Sequence, residues 1–294
     1  MSQVLPILLI FLSGYIFKRF HKDSSDALID LVVYFVFPIF IFYKVHYLEF
    51  SSDVTLVVIY SFLAFFVGLV FSLFFIKLFK IDSLKGTMIV MSVVYGNTSF
   101  LGFAFVDSYY GSYALSLAIF YDQVNMLLLA TLSSIICMYG MGNKEVSIKK
   151  MLIQIITFPP TIAFILAIFS KLIVLPEIVS IFMDKVSLML VPLIMFAVGM
   201  RFKLASVKGN EKEIGIIIGI SMILIPLSLY LGGIFFLENN LAFKTAIMEA
   251  AMPPMVMATV IAIKAGLDED LGMGALGVGM ILSFISIPIV YYLV

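Results

Sequence analysis

VVYGNTSFLGF, residues Val93 to Phe103, places Gly96, Asn97, Thr98 and Ser99 between two apolar runs. Four such residues in a row favour a loop, because each either permits unusual backbone angles or competes with a helix for hydrogen bonds. The run that contains them begins near Lys85 and reaches Asn97 after 12 residues, about 18 Å of helix. A hydrocarbon core is about 30 Å thick, so the interruption falls near its middle. Backbone leaves the helix at that depth only where protein or an aqueous cavity serves the freed amides.

The membrane setting follows from the rest of the chain. Of 294 residues, 63% are hydrophobic and 12% charged, and the mean hydropathy is +1.18, beyond the range of soluble domains. Apolar runs of about 20 residues recur from end to end, each long enough to span a bilayer. The class expected is an all-α polytopic membrane protein with no soluble domain. The formal net charge is zero and no basic tract carries interleaved aromatics, which argues against nucleic acid as a partner.

LPILLIFLSGYIF is followed by Lys18, Arg19, His21 and Lys22, the reverse of a secretory signal's charge order, so it is expected to be retained as the first span. Cys137 stands alone in an apolar stretch, which leaves neither a disulfide nor a cysteine metal site. His21 and His46 stand singly near span ends, as solvated histidines do. No metal site and no cofactor is expected.

Ten spans are read near 3–20, 26–43, 54–79, 84–106, 113–139, 151–170, 176–200, 214–237, 241–264 and 270–293. Basic residues are retained on the cytoplasmic side. With the N-terminus outside, 14 of the 18 Lys and Arg residues fall on cytoplasmic connections, leaving Lys44, Lys171, Lys185 and Lys244 outside. Both termini are therefore expected to face outward from the plasma membrane.

An internal repeat accompanies this layout. Pro6, Asp30, Pro38 and Phe42 recur as Pro160, Asp184, Pro192 and Phe196 at a constant offset of 154 residues. Residues 1–139 form the first five-span unit and 151–294 the second, joined by a short cytoplasmic loop over 140–150. An odd number of spans per unit inverts the second copy, and inverted repeats of this kind place transporter sites near the midplane. Pro38 and Pro192 are read as packing kinks, and Gly272, Gly274, Gly277 and Gly279 as close helix contacts.

Span nine breaks at the same depth as span four. It starts near Leu241 and reaches Pro253 after 12 residues, and an offset of 158 carries Tyr95 and Gly96 onto Pro253 and Pro254. Paired interruptions at equivalent positions point to a substrate site. Each exposes one half-helix N-terminus, with roughly +0.5 of a charge, and one C-terminus, with roughly −0.5. Thr98 or Ser99 is placed to cap the second half of span four, Pro253 or Pro254 to occupy the first turn of its counterpart, and Asn97 to bond a ligand. Gly96, Asn97, Thr98, Ser99, Pro253 and Pro254 are thus the candidate substrate-binding residues.

Span five adds Asp122 and Asn125, three residues apart on one helical face, and Glu249 lies one turn before Pro253. Acids inside a span are expensive and are candidates for function, here for coupling to a proton or sodium ion. No Lys or Arg falls at the centre of a span, which disfavours a doubly charged cargo held by direct ion pairs.

The chain resembles the auxin efflux carrier, or PIN-like, family over essentially its whole length. The resemblance rests on NTSFLG in span four, AAMPPMVMATV followed by KAGLD around span nine, PLIMFAVGM in span seven and the closing LSFISIPIV. It implies two inverted five-helix repeats in which the broken helices of spans four and nine cross, and elevator-like transport of a small organic anion. Gly96, Asn97 and Thr98 would form one half of that crossover, and Pro253 and Pro254 the other. The chain carries only MGNKEVSIKK where plant relatives have a long hydrophilic loop. Bacterial-type members look like carriers of malonate and similar carboxylates, and the related bile acid symporters use sodium.

The leading expectation is a secondary transporter whose partners are a small organic anion and the bilayer, with assembly into a homodimer left open. The alternative is a transporter-like membrane sensor acting through a partner chain. An enzyme is not expected, because neither an HExxH motif, a GxSxG elbow nor a nucleophile with its base is present.

Overall fold

Helix runs through nearly all of the chain, and its departures from regularity position the site. The computed structural model describes residues 4–21, 24–141, 153, 157–201, 207–237 and 240–294. Residues 142–150 of the expected connecting loop, and most of the start of span six, lie outside the described residues.

The helices are α1 (Val4–Phe20), α2 (Ser25–Tyr47), α3 (Ser52–Phe79), α4 (Ser83–Val94), α5 (Phe103–Met141), α6 (Pro159–Phe169), α7 (Glu177–Met200), α8 (Glu211–Phe235), α9 (Leu241–Ala250), α10 (Val256–Lys264) and α11 (Glu269–Leu293). Among the described residues six helices are long and apolar enough to cross a membrane. The only extended pairing there is a single isolated bridge.

Local chemistry sets the helix ends. Ser51 caps α3 by accepting the Asp53 N–H at 3.3 Å, and Lys80 closes it in a left-handed conformation at φ 51°. Asp82 Oδ1 caps α4, accepting from the Leu84 and Lys85 amides at 3.1 and 3.0 Å. Asn240 Oδ1 caps α9 through the Phe243 amide at 2.8 Å. Asp82 and Asn240 are themselves separated by the offset of 158 found in the sequence.

Prolines account for further irregularity. A widened π turn at Val32–Val36 precedes Pro38, another at Ile220–Leu224 precedes Pro226, and α7 is irregular at Leu188 and Met189 just before Pro192. Proline cannot donate to the carbonyl four residues back, and a distorted turn relieves both that loss and the ring's steric clash. Gly111, at φ 80°, breaks α5 into the end of the interrupted span and the long helix that follows, a backbone conformation suited to glycine.

The long helices expose apolar side chains, among them Val70, Phe74, Ile178 and Leu231, as a surface suited to lipid does. Within α4 every residue from Gly86 to Val94 is buried or nearly so, and within α9 only Leu241 and Lys244 are partly open. These two short helices lie inside a ring of longer ones. Backbone contact at glycine brings neighbours close: a methyl group on Gly279 would lie 2.8 Å from Pro253 Cβ, and one on Gly272 would lie 2.8 Å from Met88 Cε. The glycine-rich face of α11 thus seats against both interrupted segments, the close contact expected of it.

Candidate functional site

The two interruptions meet. Gly96 and Pro254 form an antiparallel bridge, with the Asn97 amide donating to the Pro253 carbonyl at 2.8 Å and the Met255 amide to the Tyr95 carbonyl at 2.9 Å. The two interrupted segments therefore satisfy each other's backbone at the point where each leaves the helix. This answers how a helix breaks inside an apolar span: each broken segment supplies the partner that water would supply elsewhere.

The segment after the first break begins as a π turn over Thr98–Gly102, in which the Gly102 amide reaches the Asn97 carbonyl at 3.1 Å. Thr98 and Ser99 do not cap it. Both hydroxyls donate instead to Asp122 Oδ1, each at 2.5 Å, and Asn125 Nδ2 donates to the Gly96 carbonyl at 3.0 Å and to Thr98 Oγ1 at 3.3 Å. Each hydroxyl proton needs an acceptor in an apolar interior, and the Asp122 carboxyl oxygen supplies a strong one for both. Pro253 and Pro254 likewise precede the helix rather than opening it, since α10 begins at Val256 after Met255.

Three polar groups at the break lack a hydrogen-bond partner. Asn97 Nδ2, Asp122 Oδ2 and both carboxyl oxygens of Glu249 are buried and unpartnered, with Asn97 at 3%, Asp122 at 0% and Glu249 at 1% exposure. Buried groups left in this state cost about 1–3 kcal/mol each, so a ligand, ion or proton that satisfied them would bind favourably. The Glu249 carboxyl packs directly against Gly102, so a methyl group added there would displace it.

A cavity lies on each side of the meeting point. The larger, about 310 Å³, is lined by Asn97, Ser99, Phe100, Met255, Val256 and Met257, together with residues of α2. These six are the first residues of the two half-helices that follow the breaks, so both helix N-termini face it. The smaller, about 20 Å³, is lined by Val94, Gly96, Thr98, Asn125, Glu249 and Ala250, and lies at the C-terminal ends of α4 and α9. It has room for about one water-sized species.

Every candidate residue named from sequence is thus at one locus, with Pro253 and Pro254 in the backbone bridge and the others on its two faces. Asn97 and Ser99 line the larger cavity, Gly96, Thr98, Asn125 and Glu249 the smaller, and Asp122 ties Thr98 to Ser99 between them. Asp30, Tyr34 and Phe37 of α2 also line the larger cavity, and Ser61 and Tyr121 the smaller. Sequence reading treated Asp30 only as a marker of the repeat. Its position one turn into a span, in a D-x7-P pattern used twice, was the signal available.

Comparison with known proteins agrees with this architecture. A family model described as membrane transport protein matches residues 1–291. The chain belongs to the auxin efflux carrier family of membrane transport proteins. It is 26% identical over 296 residues to an uncharacterised transporter of Methanothermobacter thermautotrophicus, covering 98% of this chain and 96% of that one. It is 28% identical over 278 residues to an uncharacterised transporter of Methanocaldococcus jannaschii, covering 88% of each. Membership of this family makes the chain a multi-pass membrane transporter and not an enzyme.

Proposed function

We propose that this auxin efflux carrier family member is a secondary transporter that moves a small organic anion across the plasma membrane by elevator-type alternating access. In this reading residues 1–139 and 151–294 are inverted five-helix repeats, spans four and nine cross at the Gly96–Pro254 bridge, and both termini face outward. The observation that carries it is the pair of half-helix N-termini at one cavity of about 310 Å³, lined by Asn97, whose side-chain amide Nδ2 is buried without a hydrogen-bond partner. Two helix N-termini contribute roughly +0.5 of a charge each, enough to balance one carboxylate without a basic side chain. Among the described residues, no Lys or Arg lines that cavity.

The opposite face suits a cation. Two helix C-termini, each roughly −0.5 of a charge, converge with the Glu249 carboxyl on a cavity of about 20 Å³. A proton on Glu249 or Asp122, or a sodium ion held by Glu249, Asn125 and neighbouring carbonyls, would offset charge that the apolar surroundings penalise. Cargo and coupling ion would then share the Gly96–Ser99 segment between them. Occupation of one face would bear on the other through backbone that both touch.

The test is uptake by purified protein in liposomes, with small radiolabelled carboxylates and an imposed proton or sodium gradient. Saturable, gradient-dependent accumulation is the expected result. Ligand binding without uptake under every gradient would replace transport with sensing.

A further inference from the structure

The larger cavity has a second polar end. On α2, Asp30, Val33, Tyr34 and Phe37 face it with i, i+3, i+4 and i+7 spacing, which is a single stripe of helix surface. Asp30 is exposed, and no described side chain forms a hydrogen bond or ion pair with its carboxylate. It is the one charged side chain among the described residues that line the cavity. A carboxylate cargo alone would gain nothing from this acid and would be repelled by it.

The arrangement therefore holds two complementary poles. At one, helix N-termini and the buried, unpartnered Asn97 Nδ2 accept negative charge. At the other, Asp30 attracts positive charge, and Tyr34 beside it offers an aromatic face to a cation. Phe37, Phe100, Met126, Val256 and Val260 make the remaining walls apolar. We propose that the cargo of this site, read above as a carboxylate, also carries an ammonium group: it is an amino acid with an apolar side chain. The inference rests on the carboxylate reading and refines it, since the cargo's own ammonium cancels its net charge.

The competing account gives Asp30 a local role within α2, unrelated to cargo. The two accounts differ in which ligands feel the residue. Purified full-length protein is screened by thermal shift and by competition for uptake with matched pairs that differ only in the α-ammonium group. Suitable pairs are leucine with 4-methylpentanoate, valine with 3-methylbutanoate, and phenylalanine with 3-phenylpropanoate.

The expected result is that the amino member of at least one pair binds about tenfold or more tightly than its partner. Asp30→Asn should bring that ratio close to one, weakening the amino member while affinity for the plain carboxylate holds or rises as the repulsion is removed, and Asp30→Glu should restore part of the preference. Carboxylates that bind with no preference for the amino member overturn the inference and leave the carboxylate reading standing. Binding of neither member of any pair overturns both. An Asp30→Asn protein that loses affinity equally for both members also overturns it and returns Asp30 to a local role within α2.

Discussion

Replacing Asp122 separates its structural role from its role in coupling. Its Oδ1 is the shared acceptor for the Thr98 and Ser99 hydroxyls, each at 2.5 Å, and the side chain is fully buried. Asp122→Ala removes that acceptor and strands two buried hydroxyls. At about 1–3 kcal/mol for each, the expected destabilisation is about 2–6 kcal/mol. Asp122→Asn keeps an oxygen in place for both hydroxyls, so its cost is confined to placing an amide where the unpartnered Oδ2 now sits. That substitution should cost no more than about 1–3 kcal/mol while abolishing the group's capacity to carry a proton or face a cation. The assay has two parts: thermal unfolding of purified protein, and accumulation in liposomes under an imposed proton or sodium gradient. Asp122→Asn is expected to remain folded, to retain counterflow exchange and to lose gradient-driven accumulation. Wild-type accumulation by Asp122→Asn would refute the coupling role and move it to Glu249. Equal stability of the alanine and asparagine variants would refute the shared-acceptor argument.

Asn97→Ala should remove a hydrogen bond to a charged ligand worth about 1.5–3 kcal/mol, weakening binding roughly tenfold or more in a protein that still folds; titration calorimetry with the best-bound carboxylate checks it. Gly102→Ala puts a methyl group into the Glu249 carboxyl and should destabilise the protein by about 1–3 kcal/mol. Glu249→Ala in the same chain should recover much of that loss, and thermal unfolding of the single and double variants would expose additive behaviour if the contact were immaterial. For topology, a cysteine at Ser147 in a Cys137→Ala background should resist impermeant reagents in intact cells and react in inverted vesicles; labelling in intact cells would reverse the assignment of sides.

The membrane class and the two interruptions were legible without coordinates, because each is a property of consecutive residues. Apolar run length measures the bilayer, and Gly-Asn or Pro-Pro inside such a run disfavours helix at that point. The offset of 158 even pairs Gly96 with Pro254, the two residues that form the bridge. The partners of the polar side chains were not legible. Thr98 and Ser99 have the chemistry of helix caps, yet they bond Asp122 because α5 returns alongside the break and offers a strong acceptor where no water competes. The same folding sorts Asn97 to a cavity bounded by helix N-termini and Asp30, and Glu249 to one bounded by helix C-termini, although Asn97 and Glu249 both border breaks of the same kind. Sequence spacing specifies which face of its own helix a residue occupies. Which end of a distant helix that face meets is set only when the helices pack, and that meeting decides the sign of charge each cavity favours.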